Sequence, residues 1–440
     1  MYSHSVTLAS EKCIGCTDCI KRCPTEAIRV RDSKAKIIDE RCIDCGNCIA
    51  VCRNGAKRAV MDSFSMIYNY PHRVVLPAPS FYAQFSKGES IEDILGSLYA
   101  IGFTDVFEVS EAAEYIAKYT NQYMEEAMHY PVISSSCPVI VRLIQRRFPA
   151  LIEHILPIMS PMELAARYVK TSYEKRGIPA NEVGVFFISP CPAKATDIHK
   201  PKGLEKSYVD GAFSMQEIYL KVVHEVRDQK KGITRRPTPD GISWATRNGG
   251  ISNIGIDNHI AVDGIESVID ILEKVEDGTL SKIQYIEALA CTGGCLGGAL
   301  TIENPFVSRN TLKKLIKNDE KTLHKQEVLP TNTLLGEIPY RYNLSIVPKP
   351  VFSLDENLQT AIEMMEEIEK LYEVLPHIDC GSCGAPTCKC FAEDVIKGYS
   401  HVEDCIFMLR KRIKELSQDM FELTKTILPI TKGWGDLNDS

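Results

Sequence analysis

The sequence contains no run of 18 or more apolar residues, which is about the length that a membrane-spanning helix requires. Its first residues, MYSHSVTLASEKC, lack the basic segment and the apolar core of a secretory signal. A net charge of -7 without a long basic block gives little support for binding nucleic acid or an anionic membrane. We therefore expect a cytoplasmic protein with no membrane span and no nucleic-acid partner.

The overall composition is that of an ordinary globular protein, with 44% hydrophobic and 25% charged residues. A chain of 440 residues has room for roughly two to four domains with at least one sizeable core. The 17 cysteines are the unusual feature. In a reducing cytoplasm so many cysteines are more often metal ligands than disulfides, so their spacing indicates the function.

The N-terminal cysteines form an internal repeat. CIGCTDCIKRCP and CIDCGNCIAVC share the spacing C-x2-C-x2-C-x3-C of two-cluster bacterial ferredoxins, in which the fourth cysteine of each run ligates the other cluster. The predicted ligands of one 4Fe–4S cluster are Cys13, Cys16, Cys19 and Cys52, and those of the second are Cys42, Cys45, Cys48 and Cys23. Arg53 stands where the second run would usually carry proline. Two zinc sites would fit the number of cysteines but not this spacing.

A second group of cysteines lies near the C-terminus. Its members with the spacing C-x2-C-x4-C-x16-C are Cys380, Cys383, Cys388 and Cys405. The spacing resembles the small 4Fe–4S domain of electron-transfer and corrinoid iron–sulfur proteins, and a structural zinc site is the alternative. Cys390 is left over, either as a buried small side chain or as a ligand in place of Cys388.

The four remaining cysteines are Cys137, Cys191, Cys291 and Cys295. Three of them follow short apolar runs, YPVIS, VGVFFIS and YIEALA, and precede sequence compatible with a helix. This order of strand, turn and helix predicts an α/β fold, in which the carboxyl ends of the strands bring distant residues to one crevice. A lone buried cysteine is the ordinary alternative for each of them.

The segments around these cysteines resemble the three signature motifs of the FeFe-hydrogenases, which usually read TSCCP, MPCxxK and ExMACxxGCxxGG. The corresponding segments here are SSSCP at 134–138, PCPAK at 190–194 and EALACTGGCLGGA at 287–299. The resemblance covers roughly residues 70 to 310 and implies an H-cluster, a 4Fe–4S cube bridged to a di-iron unit with CO, cyanide and dithiolate. By motif position Cys137, Cys191, Cys291 and Cys295 hold the cube, and Cys295 is the bridge.

The resemblance also implies that Lys194 donates a hydrogen bond to a cyanide, whereas an exposed lysine in a polar turn is the alternative. Glycines at 293, 294, 297 and 298 are expected to let the backbone approach a bulky inorganic group. Soft thiolate ligands suit low-valent iron.

Several positions depart from the family motifs. Ser136 stands where turnover enzymes carry a second cysteine that relays protons, and an alcohol titrates several units above a thiol, whose pKa is about 8.5. The loss of that relay would lower the rate by a factor of about 10² to 10⁴. Leu156 falls where turnover enzymes carry a relay serine. Ser189 and Leu289 replace two methionines, so we expect altered packing around the di-iron unit.

Two glutamates have the spacing of the family's relay glutamates. Glu111 and Glu114 are three residues apart in EVSEAAEYI. With Glu108 they also have the spacing of a solvated helix face, and the two interpretations are about equally supported.

The predicted fold is α/β, a two-lobed H-cluster domain preceded by an α+β ferredoxin-like domain with two 4Fe–4S clusters and followed by a small helical 4Fe–4S domain. The expected limits are 1–62 for the ferredoxin-like domain, 70–345 for the H-cluster domain, 346–412 for the C-terminal cluster domain and 413–440 for a final helix and tail. Helices are expected at 89–101, 137–147, 160–175, 214–227, 262–274 and about 354–374, with the last one ending near 428.

We expect a hydrogenase of the H2:ferredoxin type that turns over slowly and senses H2, because Ser136 and Leu156 weaken the proton relay. H2 and protons, an electron-transfer or signalling protein and the hydrogenase maturation proteins are the expected partners, and a homodimer is an open alternative. The final helix is expected to pack within the protein. The competing functions are an ordinary ferredoxin-coupled hydrogenase and an iron–sulfur carrier or assembly protein without the di-iron unit.

Overall fold

The computed structural model describes residues 4–85, 88–226, 238–323, 333–355 and 357–425. The chain folds into two compact units, one formed by Met1–Lys12 with Ile37–Phe352 and the other by Cys13–Lys36 with Ser353–Ser440. The first cysteine run belongs to the second unit and the second run to the first, and the domain limits expected from the sequence stay a prediction. Within the described ranges, no helix is both long and apolar enough to cross a membrane.

The strands are short, and most belong to the first unit. In chain order the strands of the described residues are β1 (Val6–Leu8), β2 (Ile28–Arg31), β3 (Lys34–Ile37), β4 (Lys57–Ala59), β5 (His72–Pro77), β6 (Asp105–Val106), β7 (Val132–Ile133), β8 (Val183–Ser189), β9 (Gly211–Ser214), β10 (His259–Asp263) and β11 (Tyr285–Leu289).

The helices make up the other layers of the fold. In chain order those of the described residues are α1 (Asp18–Lys21), α2 (Asn47–Ala50), α3 (Pro79–Tyr82), α4 (Ile91–Ala100), α5 (Val109–Met124), α6 (Pro138–Arg147), α7 (Pro161–Glu174), α8 (Pro192–His199), α9 (Met215–Val222), α10 (Pro239–Ser243), α11 (Ile265–Glu276), α12 (Pro305–Leu323), α13 (Thr333–Glu337), α14 (Leu358–Val374), α15 (Cys388–Ile396) and α16 (Ile406–Lys425).

Two parallel sheets organise the first unit. One has the strand order β6-β5-β8-β9 and the other the order β10-β11-β7. Every residue of β8, VGVFFIS, is buried, as expected for a strand that helices cover on both faces. Each sheet has its own apolar cluster, one around Phe186 and Phe213 and the other around Ile286 and Ile140. The two sheets correspond to the two predicted lobes.

The predicted helices match helices of the structure to within a few residues, except that α9 ends at Val222, short of the expected 227, which lies outside the described residues, and that no helix directly follows Cys291. There the chain forms a short 3-10 turn at Gly294–Gly297, and α12 begins only at Pro305. Gly293 and Gly294 have positive φ angles of 84° and 71°, which no α-helix accommodates. The final helix is described to Lys425, and the rest of the expected segment, 426–440, lies outside the described residues.

In the second unit the β2–β3 pair accompanies three helices of the C-terminal region, α14, α15 and α16. Its small apolar cluster contains Phe391, Ile368 and Leu375 together with Cys388, Cys390 and Cys405. So few large side chains give a small core, and small domains of this kind often depend on a bound metal for stability.

Candidate metal centre

Four strand ends meet around one cavity of about 100 Å³ in the first unit. The cysteines that line it are Cys137, Cys191, Cys291 and Cys295. Cys137 lies between β7 and α6, Cys191 between β8 and α8, and the other two flank the turn after β11. The strands are parallel within each of the two sheets, and the carboxyl ends of strands from both sheets line this crevice, as the sequence predicted. The structure therefore brings together the four cysteines that the motifs single out.

The four cysteines are partly exposed, and they face a cavity whose lining is mostly apolar. Burial, with a smaller contribution from Cys137, raises the pKa of Cys191 to about 11. Burial and the neighbouring cysteines raise the pKa of Cys295 to about 12 and that of Cys291 well above its ordinary value. Thiols in such a place become thiolates only when a cation compensates their charge. An all-sulfur donor set in an apolar cavity suits an iron–sulfur cluster.

Two buried polar atoms of the cavity wall lack a partner. Among the described residues, neither Lys194 Nζ nor Ser80 Oγ has a hydrogen-bond partner, and both residues line the cavity. A buried donor without a partner is costly, so both fit a bound group that carries polar ligands. The sequence predicted the role of Lys194. It missed Ser80, although PAPS at 77–80 also places a turn and a helix after a strand, because only turns with cysteine were considered.

The rest of the wall is mostly apolar and includes Val109, Met162, Phe187, Trp244 and Leu289. Of the positions that depart from the family motifs, Ser136 and Leu289 line the cavity. Such a lining excludes water and strengthens electrostatic interactions inside.

Ser189 has a different place from the one expected. Its side chain is fully buried, and its Oγ donates to the carbonyl oxygen of Cys191 at 2.7 Å and accepts from the N–H of the same residue at 3.3 Å. It does not appear among the residues of the cavity wall. Ser189 thus stabilises the turn that carries Cys191. Of the two residues that replace methionine, Leu289 is the one that can alter the packing at the cavity.

The two predicted relay glutamates lie outside the wall of the cavity. Glu111 and Glu114 are half-buried on α5, and their role as relay residues stays a prediction. Burial raises the pKa of Glu114 to about 7. Leu156 is buried in the apolar cluster of the larger sheet and likewise does not line the cavity.

Comparison with known proteins agrees with this geometry. The family described as iron only hydrogenase large subunit, C-terminal domain, matches residues 72–223 and 239–299, which contain all four cysteines of the cavity. A 4Fe-4S dicluster domain matches residues 5–53, and a family named for an Fe-S cluster matches residues 375–407. The chain belongs to the FeFe-hydrogenase-like family.

The FeFe-hydrogenase-like chain has relatives of low sequence identity. It is 24% identical to iron hydrogenase 1 of Clostridium pasteurianum, over 71% of this chain and 67% of the relative. It is also 24% identical to the NADP-reducing hydrogenase subunit HndD of Solidesulfovibrio fructosivorans, over 45% of this chain but only 32% of that one. A structure of a variant of the apo [FeFe]-hydrogenase HydA1 from Chlamydomonas reinhardtii covers 64% of this chain and 96% of its own, with 15% identity and a TM-score of 0.47.

The glycines of the FeFe-hydrogenase-like motif meet a structural requirement that the sequence did not suggest. A Cβ added at Gly297 would lie 2.0 Å from the carbonyl oxygen of Thr292, and one at Gly298 would lie 2.3 Å from that of Pro190. At Gly294 the same atom would lie 2.6 Å from the carbonyl oxygen of Ala245. The glycines therefore permit close approach between segments of the chain itself, which brings the turns of Cys191 and Cys295 together.

Asp44 links the second ferredoxin-type run to two helices that begin at the cavity. Its carboxylate accepts hydrogen bonds from Arg142 Nη1 at 2.6 Å on α6 and from Thr196 Oγ1 at 2.9 Å on α8. The same side chain accepts from the backbone N–H groups of Ser5 and Val6. Asp44 is 1% exposed, so this ion pair is hardly screened. The loop between Cys42 and Cys45 is thereby held against the helices that follow Cys137 and Cys191.

The ferredoxin-type cysteines are divided between the units. Cys42, Cys45, Cys48 and Cys52 lie in the first unit, and Cys13, Cys16, Cys19 and Cys23 lie in the second. Within each unit, backbone N–H groups donate to sulfur, Ala56 to Cys52 at 3.2 Å and Ala27 to Cys23 at 3.2 Å. Such bonds are common around iron–sulfur clusters and tune their potentials. The predicted exchange of fourth ligands between the two clusters stays a prediction.

The C-terminal cysteines surround a second, much smaller cavity. Its lining includes Cys380, Cys383, Cys388 and Cys405, the four predicted ligands. Cys390 lies elsewhere, with its sulfur 2.7 Å from Glu26 Oε2 and 3.4 Å from Arg29 Nη2. Of the two alternatives that the sequence left open, the structure therefore favours Cys388 as the ligand.

Proposed function

We propose that this chain is a low-turnover FeFe-hydrogenase that senses H2 and passes electrons to a separate signalling or redox protein. The observation that carries the proposal is Ser136, which lines the cavity directly before the first predicted ligand, Cys137. In the turnover enzymes that the motif resembles, this position is a cysteine. A hydroxyl in its place gives a cavity that can bind the H-cluster but delivers protons slowly.

The residues present fit the H-cluster. Cys137, Cys191, Cys291 and Cys295 would hold its cube, with Cys295 as the bridge, because the cavity gathers four thiols in apolar surroundings. Lys194 and Ser80 would donate to its polar ligands, since both carry buried donors without a partner among the described residues. When bound, the H-cluster would supply the metal site at which H2 is split and its electrons are taken up.

Proton transfer is the step that this chain's residues would slow. The hydroxyl of Ser136 is too weak an acid to exchange a proton readily near neutral pH. Glu114, whose pKa burial raises to about 7, would be able to take and return a proton, with Glu111 one turn earlier on α5. Neither carboxyl lines the cavity.

Electrons would leave through the iron–sulfur clusters of the chain. Two ferredoxin-type 4Fe–4S clusters would use the repeated cysteine runs, and a third would use Cys380, Cys383, Cys388 and Cys405. The chain would act in the cytoplasm, and the hydrogenase maturation proteins would supply its di-iron unit. A separate electron-transfer or signalling protein would receive the electrons.

The infrared spectrum of the anaerobically matured protein, recorded before and after addition of H2, tests the proposal. We expect CO and cyanide stretching bands that shift under H2, together with a rate of H2 oxidation far below that of a turnover enzyme. A Cys191→Ser variant matured in parallel should lack the bands. Fast turnover would instead identify an ordinary ferredoxin-coupled hydrogenase, and absence of the bands after full maturation would identify an iron–sulfur carrier or assembly protein.

A further inference from the structure

The last helix of the second unit, α16, presents an apolar face to solvent. None of its 20 residues is buried. Six apolar side chains along it, which we call the seam, are Ile406, Leu409, Ile413, Leu416, Met420 and Leu423. Each is between 40% and 71% exposed, so the described residues leave this face largely uncovered. Proteins rarely leave so large an apolar face in water unless a partner covers it.

The seam has the spacing of a coiled coil. Its members recur at intervals of three, four, three, four and three residues, which are the a and d positions of successive heptads. Ile406, Ile413 and Met420 fill the a positions, and leucine fills every d position. Isoleucine at a with leucine at d favours two parallel strands.

Among the described residues, Ile406 lines the cavity of the C-terminal cysteines, whereas the other five members of the seam belong neither to that cavity nor to the apolar cluster of the C-terminal cluster domain. Met408, which packs against the apolar cluster of that domain, stands at a c position, on the side of the helix away from the a and d residues. A helix of 20 residues without tertiary packing is only marginally stable in water, so α16 needs a partner along the seam.

The area and the charges of the seam fit a second copy of this chain. Burying twelve such side chains removes about 1,000 Å² from water, close to the roughly 1,200 Å² at the low end of specific interfaces. In a parallel pair the flanking residues Arg412 and Asp419 face Ser417 and Thr424 of the second copy, so no like charges meet. A second copy of the helix therefore covers the seam without repulsion between like charges.

We propose that α16 pairs with α16 of a second copy of this chain in a parallel, two-stranded coiled coil, which makes the protein a homodimer. Each helix begins directly after Cys405, so a parallel pair places the C-terminal cysteine sites of both copies at the same end of the coiled coil. The inference is independent of the proposed hydrogenase activity, because it rests on the sequence and exposure of α16.

Sedimentation equilibrium of the full-length, cluster-loaded protein tests the dimer. We expect twice the chain mass of 49.2 kDa at micromolar concentration, and 49.2 kDa for the double variant Ile413→Lys and Leu416→Lys. Phe421→Lys is the matched control, since Phe421 is also on α16 and 62% exposed but stands outside the seam, and it should remain a dimer. A monomeric parent, or a double variant that stays dimeric with its iron content and circular dichroism intact, overturns the proposal.

Thr424→Arg tests the orientation. In the parallel pair residue 424 faces Asp419 of the second copy, so the new charge should lower the dimer dissociation constant about threefold through two such pairs. In an antiparallel pairing of the same seam it would face Arg410 and weaken the dimer instead. A higher dissociation constant therefore overturns the parallel arrangement.

Discussion

At the scale of single residues, the proposed low turnover rests on Ser136. Ser136→Cys places a thiol at the cavity wall, and we expect H2 oxidation to become faster by about 10² to 10⁴, the usual contribution of a positioned acid or base. The measurement is the rate with an artificial electron acceptor, normalised to the infrared bands of the H-cluster. Ser135→Cys is the control, because Ser135 Oγ donates to the carbonyl oxygen of Ile158 at 2.8 Å and does not line the cavity. Equal rates for Ser136→Cys and the parent would show that the missing thiol does not limit this protein.

Glu163 makes the stability of the fold depend on pH. The residue is 4% exposed, and burial raises its pKa from 4.5 to about 7 although Ser207 Oγ donates to it at 2.6 Å. The native state therefore keeps a proton that the unfolded chain has already lost above pH 4.5. The contribution of Glu163 to the free energy of unfolding is therefore fully present below pH 4.5 and is lost as the pH rises through about 7. It amounts to about 3 kcal/mol.

Chemical denaturation of Glu163→Gln between pH 4.5 and 8 tests whether Glu163 makes the protein less stable as the pH rises. The variant stays neutral, so its free energy of unfolding should fall less with rising pH than that of the parent. Some dependence should persist, because burial also raises the pKa of Glu114 and of Glu287 to about 7. The exposed Glu182→Gln should behave like the parent. If the free energy of unfolding depends on pH in the same way for Glu163→Gln and the parent, Glu163 does not cause that dependence.

At the scale of secondary structure, the close approach of two turns depends on Gly298. Its φ of -61° suits any residue, so only the lack of a side chain matters there. In Gly298→Ala the Cβ would lie 2.3 Å from the carbonyl oxygen of Pro190, which also accepts from the N–H of Leu300 at 2.9 Å. We expect a loss of about 1–3 kcal/mol in the free energy of unfolding and a lower iron content, because the turns must separate.

Gly336→Ala provides the comparison for Gly298→Ala. The Cβ at Gly336, on α13, would lie at an ordinary 3.4 Å from Tyr115 Cε1, and the exchange should be neutral or stabilising by up to about 1 kcal/mol. Thermal unfolding and iron analysis of both variants give the answer. If Gly298→Ala and Gly336→Ala have similar stability and iron content, the contact between Gly298 and Pro190 is not close enough to exclude a side chain.

The secondary structure also shows how far the sequence could predict the site. Apolar runs followed by a turn predicted the convergence of Cys137, Cys191 and Cys291, because the parallel strands of one sheet end at a common edge whatever their distance along the chain. This reason applies to β7 and β11, whereas β8 belongs to the other sheet, whose carboxyl end lines the same cavity. The helix expected after Cys291 was wrong, since local glycines with positive φ angles favour a 3-10 turn. The hydrogen bonds of Ser189 in the turn of Cys191 could not be predicted from the sequence, because a single hydroxyl produces no periodic sequence pattern.

At the scale of the whole chain, contacts between distant segments set the arrangement of the second unit, and no local pattern announces them. Arg29 and Asp394 are 365 residues apart, yet Arg29 Nε lies 2.6 Å from Asp394 Oδ2 and its Nη2 lies 3.0 Å from Oδ1. Arg31 Nη2 reaches the same carboxylate at 2.8 Å, and Arg31 Nη1 donates to the carbonyl oxygen of Cys383 at 2.7 Å. The segment around β2 is thus joined to α15 and to the loop of the C-terminal cysteines.

Removal of Asp394 should destabilise the second unit more than the loss of an exposed ion pair in the same unit. Arg29 and Asp394 are 7% and 8% exposed, so Asp394→Ala leaves a buried guanidinium unpaired, and we expect a loss of about 3–5 kcal/mol. Hydrogen–deuterium exchange of β2 and α15 should accelerate accordingly. Glu366→Ala, which breaks a pair with Lys370 whose side chains are 64% and 75% exposed, should cost at most about 1 kcal/mol. Equal exchange in the two variants would mean that the second unit is held together by its apolar cluster and its cysteine site, without a significant contribution from the buried ion pair.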